Sequence, residues 1–213
     1  MLTISIDGAC RRNGKPSCVS SGGVFIMHPS GEMETHAVYE HGSTNQRGEL
    51  FALLTALEYL ANANVEACII TDSEYIFNAM TKQWYVNWPY NNWLTAAGEP
   101  VKNSDIWKKI GSVELNEPVH FYHIKGHCIP FGKVTATKML DADHTGASLR
   151  KLVEDKFDAC RTTKADVFEA AQQLSVKNNG FELPSDTFRL FVVANTIADA
   201  IATRMVEIAD REM

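Results

Sequence analysis

The run Ala67-Cys68-Ile69-Ile70-Thr71 constrains this chain more than any other stretch, because it has no polar face and ends abruptly at Asp72. A strand without a polar face needs cover on both sides, which calls for a sheet with helices above and below. Residues 2–7 read differently. Leu2, Ile4 and Ile6 alternate with Thr3, Ser5 and Asp7, the period of a strand, and this strand too ends in an acid. A Gly- and Ser-rich loop is expected from Gly8 to Gly23, then strands at Val24–Met27 and Thr35–Tyr39 around a turn at Pro29-Ser30-Gly31, an antiparallel meander. Thr44 or Asn45 can cap a helix on which Leu50, Leu53, Leu54, Leu57 and Leu60 keep helical spacing. Helical patterns fill much of 73–111, and Val119–Ile124 reads as a last strand. This order predicts an α/β fold with a mixed sheet.

Beyond residue 127 the strand signal stops. Leu149, Leu152, Val153 and Phe157, then Val167, Phe168, Ala171 and Leu174, predict two amphipathic helices. Pro184-Ser185 opens a long helix to about residue 211, with Phe188, Phe191, Val192 and Ile201 among its apolar positions. Hydrophobic residues make up 45% of the 213, enough for a sizeable core. No apolar run approaches the roughly 18 residues a membrane helix needs. The first residues lack the basic segment of a signal peptide, and the five scattered cysteines include no CxxC pair. A reducing, cytoplasmic setting is therefore expected, without a disulfide framework, a structural zinc site or a membrane partner. The net charge of −6 weighs against nucleic acid as a partner, but residues 1–79 alone carry a net −5. Those acids serve either a metal site or a solvated face, and their positions decide.

Asp7 and Asp72 stand at the carboxyl ends of predicted strands, where open α/β sheets place their sites. Glu49 lies in the first turns of the helix between them. Asp199 follows Asn195 by four residues on the last helix, so the two share a face. Each acid alone reads as a strand end or a cap. If the four converge, their repulsion demands cations. Such oxygen-rich clusters hold Mg²⁺ or Mn²⁺, and a pair of these ions serves phosphodiester cleavage.

Five stretches in order then resemble the type 1 ribonuclease H family. They are Ile6-Asp7-Gly8-Ala9-Cys10 with Asn13-Gly14, Ser43-Thr44-Asn45-Gln46-Arg47-Gly48-Glu49-Leu50, Thr71-Asp72-Ser73, Lys125-Gly126-His127, and Asn195-x-x-Ala198-Asp199-x-x-Ala202. The resemblance runs through 1–127, resumes near 186–205 and is absent between. It implies a five-stranded sheet, three strands antiparallel and then parallel ones, in a catalytic domain of 1–127 and 185–213 with a helical insertion at 128–184. It also implies an endonuclease that cuts the RNA strand of RNA–DNA hybrids, leaves 5′-phosphomonoesters and acts as a monomer. Two Mg²⁺ ions, with Mn²⁺ a substitute, would sit on Asp7, Glu49, Asp72 and Asp199, and His127 would assist proton transfer or product departure. Cys10, Asn13, Thr44, Asn45, Gln46, Asn195, Lys102 and Trp84 fall at substrate-binding positions of the family.

Physical chemistry supports parts of this and leaves others open. Short amides at Asn13, Asn45 and Gln46 suit 2′-OH groups and base edges in a shallow minor groove, but Asn also favours turns. Thr44 can bind a phosphate or cap the helix, and Gly48 admits either substrate or some other close neighbour. Trp84, Trp88, Trp93 and Trp107 cluster with Lys82, Lys102, Lys108 and Lys109, as in the family's basic protrusion, although Pro89–Asn92 and Ala96–Glu99 lack its cations. Packing is the expected role of these tryptophans. A zinc site at His120, His123 and His127 is disfavoured, since strand alternation separates them. Two other readings are a DNA-directed nuclease of the same fold (resolvase or exonuclease type) and a hybrid-binding module without catalysis. Asp143, in Asp141-Ala-Asp143-His144, competes with Asp199 but lacks an Asn four residues earlier. The insertion is expected to form a helical subdomain at the rim of the substrate groove, with Lys133, Lys138, Arg150 and Lys151 supplying phosphate contacts.

Overall fold

A computed structural model of the chain describes residues 1–15, 17–128, 146–161, 163 and 165–211. Its strands are β1 (Leu2–Arg11), β2 (Val19–Met27), β3 (Met33–His41), β4 (Ala67–Thr71) and β5 (Val119–His123). They form one sheet in the order β3-β2-β1-β4-β5, with β1, β2 and β3 antiparallel and β1, β4 and β5 parallel. This is the mixed five-stranded sheet expected. The helices are α1 (Asn45–Ala63), α2 (Glu74–Thr81), α3 (Trp84–Asn87), α4 (Ser104–Gly111), α5 (Gly146–Arg161), α6 (Ala165–Asn179) and α7 (Ser185–Arg211), with a 3₁₀ turn at Pro89–Asn91.

The expected loop from Gly8 to Gly23 is mostly strand. Gly8 to Arg11 pair with Gly22 to Val19, because small residues pass between closely packed layers. β4 pairs with β1 only from Leu2 to Ser5, so Asp7 stands two residues beyond the end of the parallel pairing. β2 is buried along its whole length. A Cβ on Gly22 would strike Gly48 and Ala52 of α1, and one on Gly23 would strike Ala198 and Ala202 of α7. The adjacent glycines face opposite ways, and each lets a helix lie directly on the strand backbone. Gly48 has the same explanation, since its Cβ would collide with the Ser21 carbonyl, so helix–sheet packing selects it.

Each face of the sheet has its own core. One face joins Ile4, Ile6, Val24 and Ile69 to Leu50, Leu53 and Leu57 of α1 and to Trp88 and Trp107. The other joins Phe25, Cys68 and Ile70 to Phe188, Val192 and Ile197 of α7, and also to Val153 and Cys160 of α5 and Ala171 of α6. α5 packs on α7 and β3, and α6 packs on β5. The described insertion helices therefore complete this core and do not stand apart as a subdomain. Arg150 donates to the Gly31 carbonyl at 3.1 Å in the β2–β3 turn. That turn lies beyond the Thr3↔Met27 pair, four register steps from Asp7↔Gly23, or about 13 Å along the strand. Arg150 thus sits at the end of the sheet away from Asp7, because the amphipathic faces of α5 and α6 are spent on the sheet. Lys133, Lys138, Asp141, Asp143 and His144 lie outside the described residues.

Candidate active site

Asp7 reaches the site from β1, Glu49 from the second turn of α1, Asp72 from the residue after β4, and Asp199 from mid-α7. Thr44 has extended backbone, and its hydroxyl accepts from the Arg47 amide at 3.4 Å, so it caps α1 and sets where Glu49 emerges. Asp7 is buried. Its Oδ1 accepts from the Gly8 amide at 2.6 Å and its Oδ2 from Asn195 Nδ2 at 3.2 Å. Glu49 Oε1 accepts from Asn45 Nδ2 at 3.0 Å, and Oε2 from the Ser73 hydroxyl at 2.7 Å.

Burial drives the Asp7 carboxyl well above the usual carboxylate range, with further push from the charges of Asp72, Asp199 and Glu49. Burial also raises Glu49, Asp72 and Asp199. The bonds from Ser73 and Asn45 partly offset this at Glu49, and His127 partly offsets it at Asp72 and Asp199. Four carboxylates from four elements therefore share one electrostatic neighbourhood. Among the described residues no three His, Cys, Asp or Glu side chains close a metal cage by themselves. Mg²⁺ keeps several waters and takes one or two carboxylates plus substrate phosphates, so an open acidic site fits it.

His127 lies on an exposed loop with φ of 55°, its Nδ1 3.6 Å from Asp199 Oδ2. The zinc reading fails here, since His120 pairs with Glu66, His123 contacts the Asp72 carbonyl and His127 faces Asp199. A cavity of about 650 Å³ beside Glu49 gathers Asn13, Thr44, Asn45, Gln46 and Lys102, all expected from sequence, together with Ser73 and Asn103. A second, of about 600 Å³, shares Gln46 and Lys102 and extends along Trp84, Trp88 and Tyr75. Trp107 and Trp88 are buried and pack edge to face at 5.1 Å, as expected, while Trp84 is 36% exposed beside Lys82.

Asn195 is 2% exposed and its Nδ2 donates to Asp7, because α7 lies flat on β1 and β2 and turns this residue inward. Cys10 is half-buried on β1, with Sγ 2.6 Å from that of Cys18. Sequence reasoning missed three residues. Ser73 stood in the Thr71-Asp72-Ser73 stretch without a role of its own, and Asn103 precedes a helix as a residue that tolerates left-handed backbone, which it adopts at φ 56°. His123 was signalled only by the disfavoured zinc grouping.

Residues 1–142 match the family model described as RNase H, a match that ends before α7. The ribonuclease H of Clostridium botulinum is 36% identical over 129 residues, covering 59% of this chain and 83% of that protein. That of Chlorobium phaeobacteroides is 40% identical over 127 residues, with the same coverage. A crystal structure of a type 1 RNase H with the type 2 active-site motif is similar in fold, with a TM-score of 0.51 and 23% identity over 59% of this chain and 63% of that one.

Proposed function

The chain belongs to the ribonuclease H family, and from that premise we propose that it hydrolyses the RNA strand of RNA–DNA hybrids at Asp7, Glu49, Asp72 and Asp199. The observation that carries this reading is that β1, α1, the end of β4 and α7 bring four acids together around buried Asp7, whose carboxyl is raised first by burial and then by the charges of Asp72, Asp199 and Glu49. Two divalent cations, Mg²⁺ or Mn²⁺, would be held by these side chains, with Asp199 as the fourth ligand. Bound there, they would lower the pKa of a water and neutralise the leaving 3′ oxygen, giving 5′-phosphomonoester ends.

The chain's own residues supply orientation. Asn195 fixes one oxygen of Asp7, and Ser73 and Asn45 fix both oxygens of Glu49, so neither side chain reorganises when charge arrives. Asn13, Asn45 and Gln46 line a cavity open to solvent and carry the donors and acceptors that a ribose 2′-OH needs. Lys102 and Thr44 border the same cavity and suit phosphate. His127, outside the cavity and beside Asp199, would carry a proton between solvent and the reacting phosphate or assist product departure; its position 3.6 Å from Asp199 supports this.

Labelled RNA–DNA, DNA–DNA and RNA–RNA duplexes incubated with Mg²⁺ test the substrate class. Cutting confined to the RNA of the hybrid is expected; DNA cutting, or binding without cutting, replaces the reading with a DNA nuclease or a silent binding module. Asp7→Asn keeps the shape and removes the charge, so a loss of about 10³-fold in hydrolysis is expected at a melting temperature no lower than that of wild type. Near-wild-type hydrolysis by that folded variant refutes the carboxylate site.

A further inference from the structure

His123 closes β5 opposite Thr71, is 2% exposed, and has both ring nitrogens engaged. Its Nε2 lies 3.1 Å from the Asp72 carbonyl oxygen, an acceptor only, so this nitrogen carries the hydrogen. Its Nδ1 lies 2.9 Å from Asn178 Nδ2, a donor, so this nitrogen is the acceptor. The two contacts select one neutral tautomer, consistent with burial lowering the His123 pKa.

Three further bonds lock the same residue to α6. Asn179 Oδ1 accepts from the His123 amide at 2.8 Å, and the His123 carbonyl accepts from Asn179 Nδ2 at 2.9 Å and from the Ser175 hydroxyl at 3.0 Å. β5 is the sheet's last strand, and α6 satisfies the backbone at its end. On the other side of His123, the Asp72 carbonyl belongs to the peptide joining Asp72 to Ser73. That plane orients Asp72 itself and Ser73, whose hydroxyl holds Glu49. Gly126 packs against the Asp72 carboxylate so closely that a Cβ there would strike it.

We propose that His123 is a positioning residue for the carboxylate site, and that α6 of the 128–184 insertion is the buttress that holds it. The path runs Asn178 to His123 to the Asp72–Ser73 peptide, and so to two of the four acids. This rests on the reading of Asp72 and Glu49 as site residues. α6 then serves catalysis from beneath the sheet end, through His123.

The test uses the full-length chain with His123→Phe, which keeps a ring against Phe77 but loses both nitrogens, His123→Gln, which returns an N–H near the Nε2 position, and Asn178→Ala. Readouts are Mn²⁺ affinity by calorimetry without substrate, kcat and KM on a hybrid, and melting temperature. His123→Phe should weaken Mn²⁺ binding and lower kcat by about 10-fold or more, the usual scale for residues that orient ligands, at little-changed KM. Asn178→Ala should show a smaller loss in the same direction, and His123→Gln should recover most of it. Asn178 is half-buried on a helix surface, so that variant reports even if His123→Phe does not fold. Wild-type Mn²⁺ affinity and kcat in Asn178→Ala and in folded His123→Phe overturn the proposal. Asp72→Asn runs in parallel. If it abolishes both readouts while the other variants are silent, only the buttress is wrong; if it is silent too, the site reading falls with it.

Discussion

On one face of the sheet α1 lies against Gly22 and carries Glu49; on the other α7 lies against Gly23 and carries Asp199. The two helices do the same task with different support. α1 is backed by residues that follow it closely in sequence, through Trp107, which is fully buried among Tyr75, Tyr85 and Trp88. α7 comes more than 60 residues after β5 and is backed by α5 and α6, with Phe168 of α6 on Phe188 of α7 at 5.1 Å. A cluster of acids drawn from both faces is only as well placed as the helices that carry it. In this chain α5 and α6, which lie between β5 and α7 in sequence, help build the α7 face.

Five substitutions probe the comparison. Trp107→Ala should have the largest effect, about 3–5 kcal/mol from a cavity in the α1-side core, read as lost denaturation midpoint at unchanged slope. A loss under about 1 kcal/mol would mean that α1 does not depend on its aromatic backing. Gly23→Ala should destabilise by about 1–3 kcal/mol as its Cβ lifts α7. Hydrolysis should fall further than in Gly22→Ala if α7 is the less supported helix; equal losses would erase the distinction.

Arg47→Gln addresses how the start of α1 is tied down. The Arg47 guanidinium donates to Glu40 of β3 and Asp105 of α4, and these bonds hold both carboxyls below their ordinary range. Carboxyls with a folded pKa below the unfolded value stabilise the protein above the unfolded pKa, and lose this as pH falls through the folded one. Because the groups are partly exposed, the variant should cost at most about 1 kcal/mol at neutral pH. Thermal melts should converge with wild type below the ordinary carboxylate range; a pH-independent gap would assign the effect to packing.

The smallest effect is expected from Arg150→Gln. An arginine on phosphate would change the salt slope of hybrid binding by about one. Bound to Gly31 at the far end of the sheet, Arg150 should leave that slope unchanged. A reduced slope would return α5 to the substrate groove.

The sequence by itself determined the order of strands and helices along the chain, the helix at Asn45–Ala63 with its Thr44 cap and the long helix of 185–211, because periodicity and capping are local. It did not determine that Gly8–Arg11 and Val19–Gly23 are strand. Glycine and serine signal loops on their own, and only the helices lying on Gly22 and Gly23 explain them as strand. Asn195, Ser73 and His123 show the same limit. Each is an ordinary polar residue in its own segment, and its role exists only where a carboxylate or carbonyl from another segment meets it. The place of the insertion was likewise decided by tertiary structure. Two amphipathic helices predict that apolar faces will be buried, but not against what, and here the free surface of the β5–β3 sheet beside α7 received them.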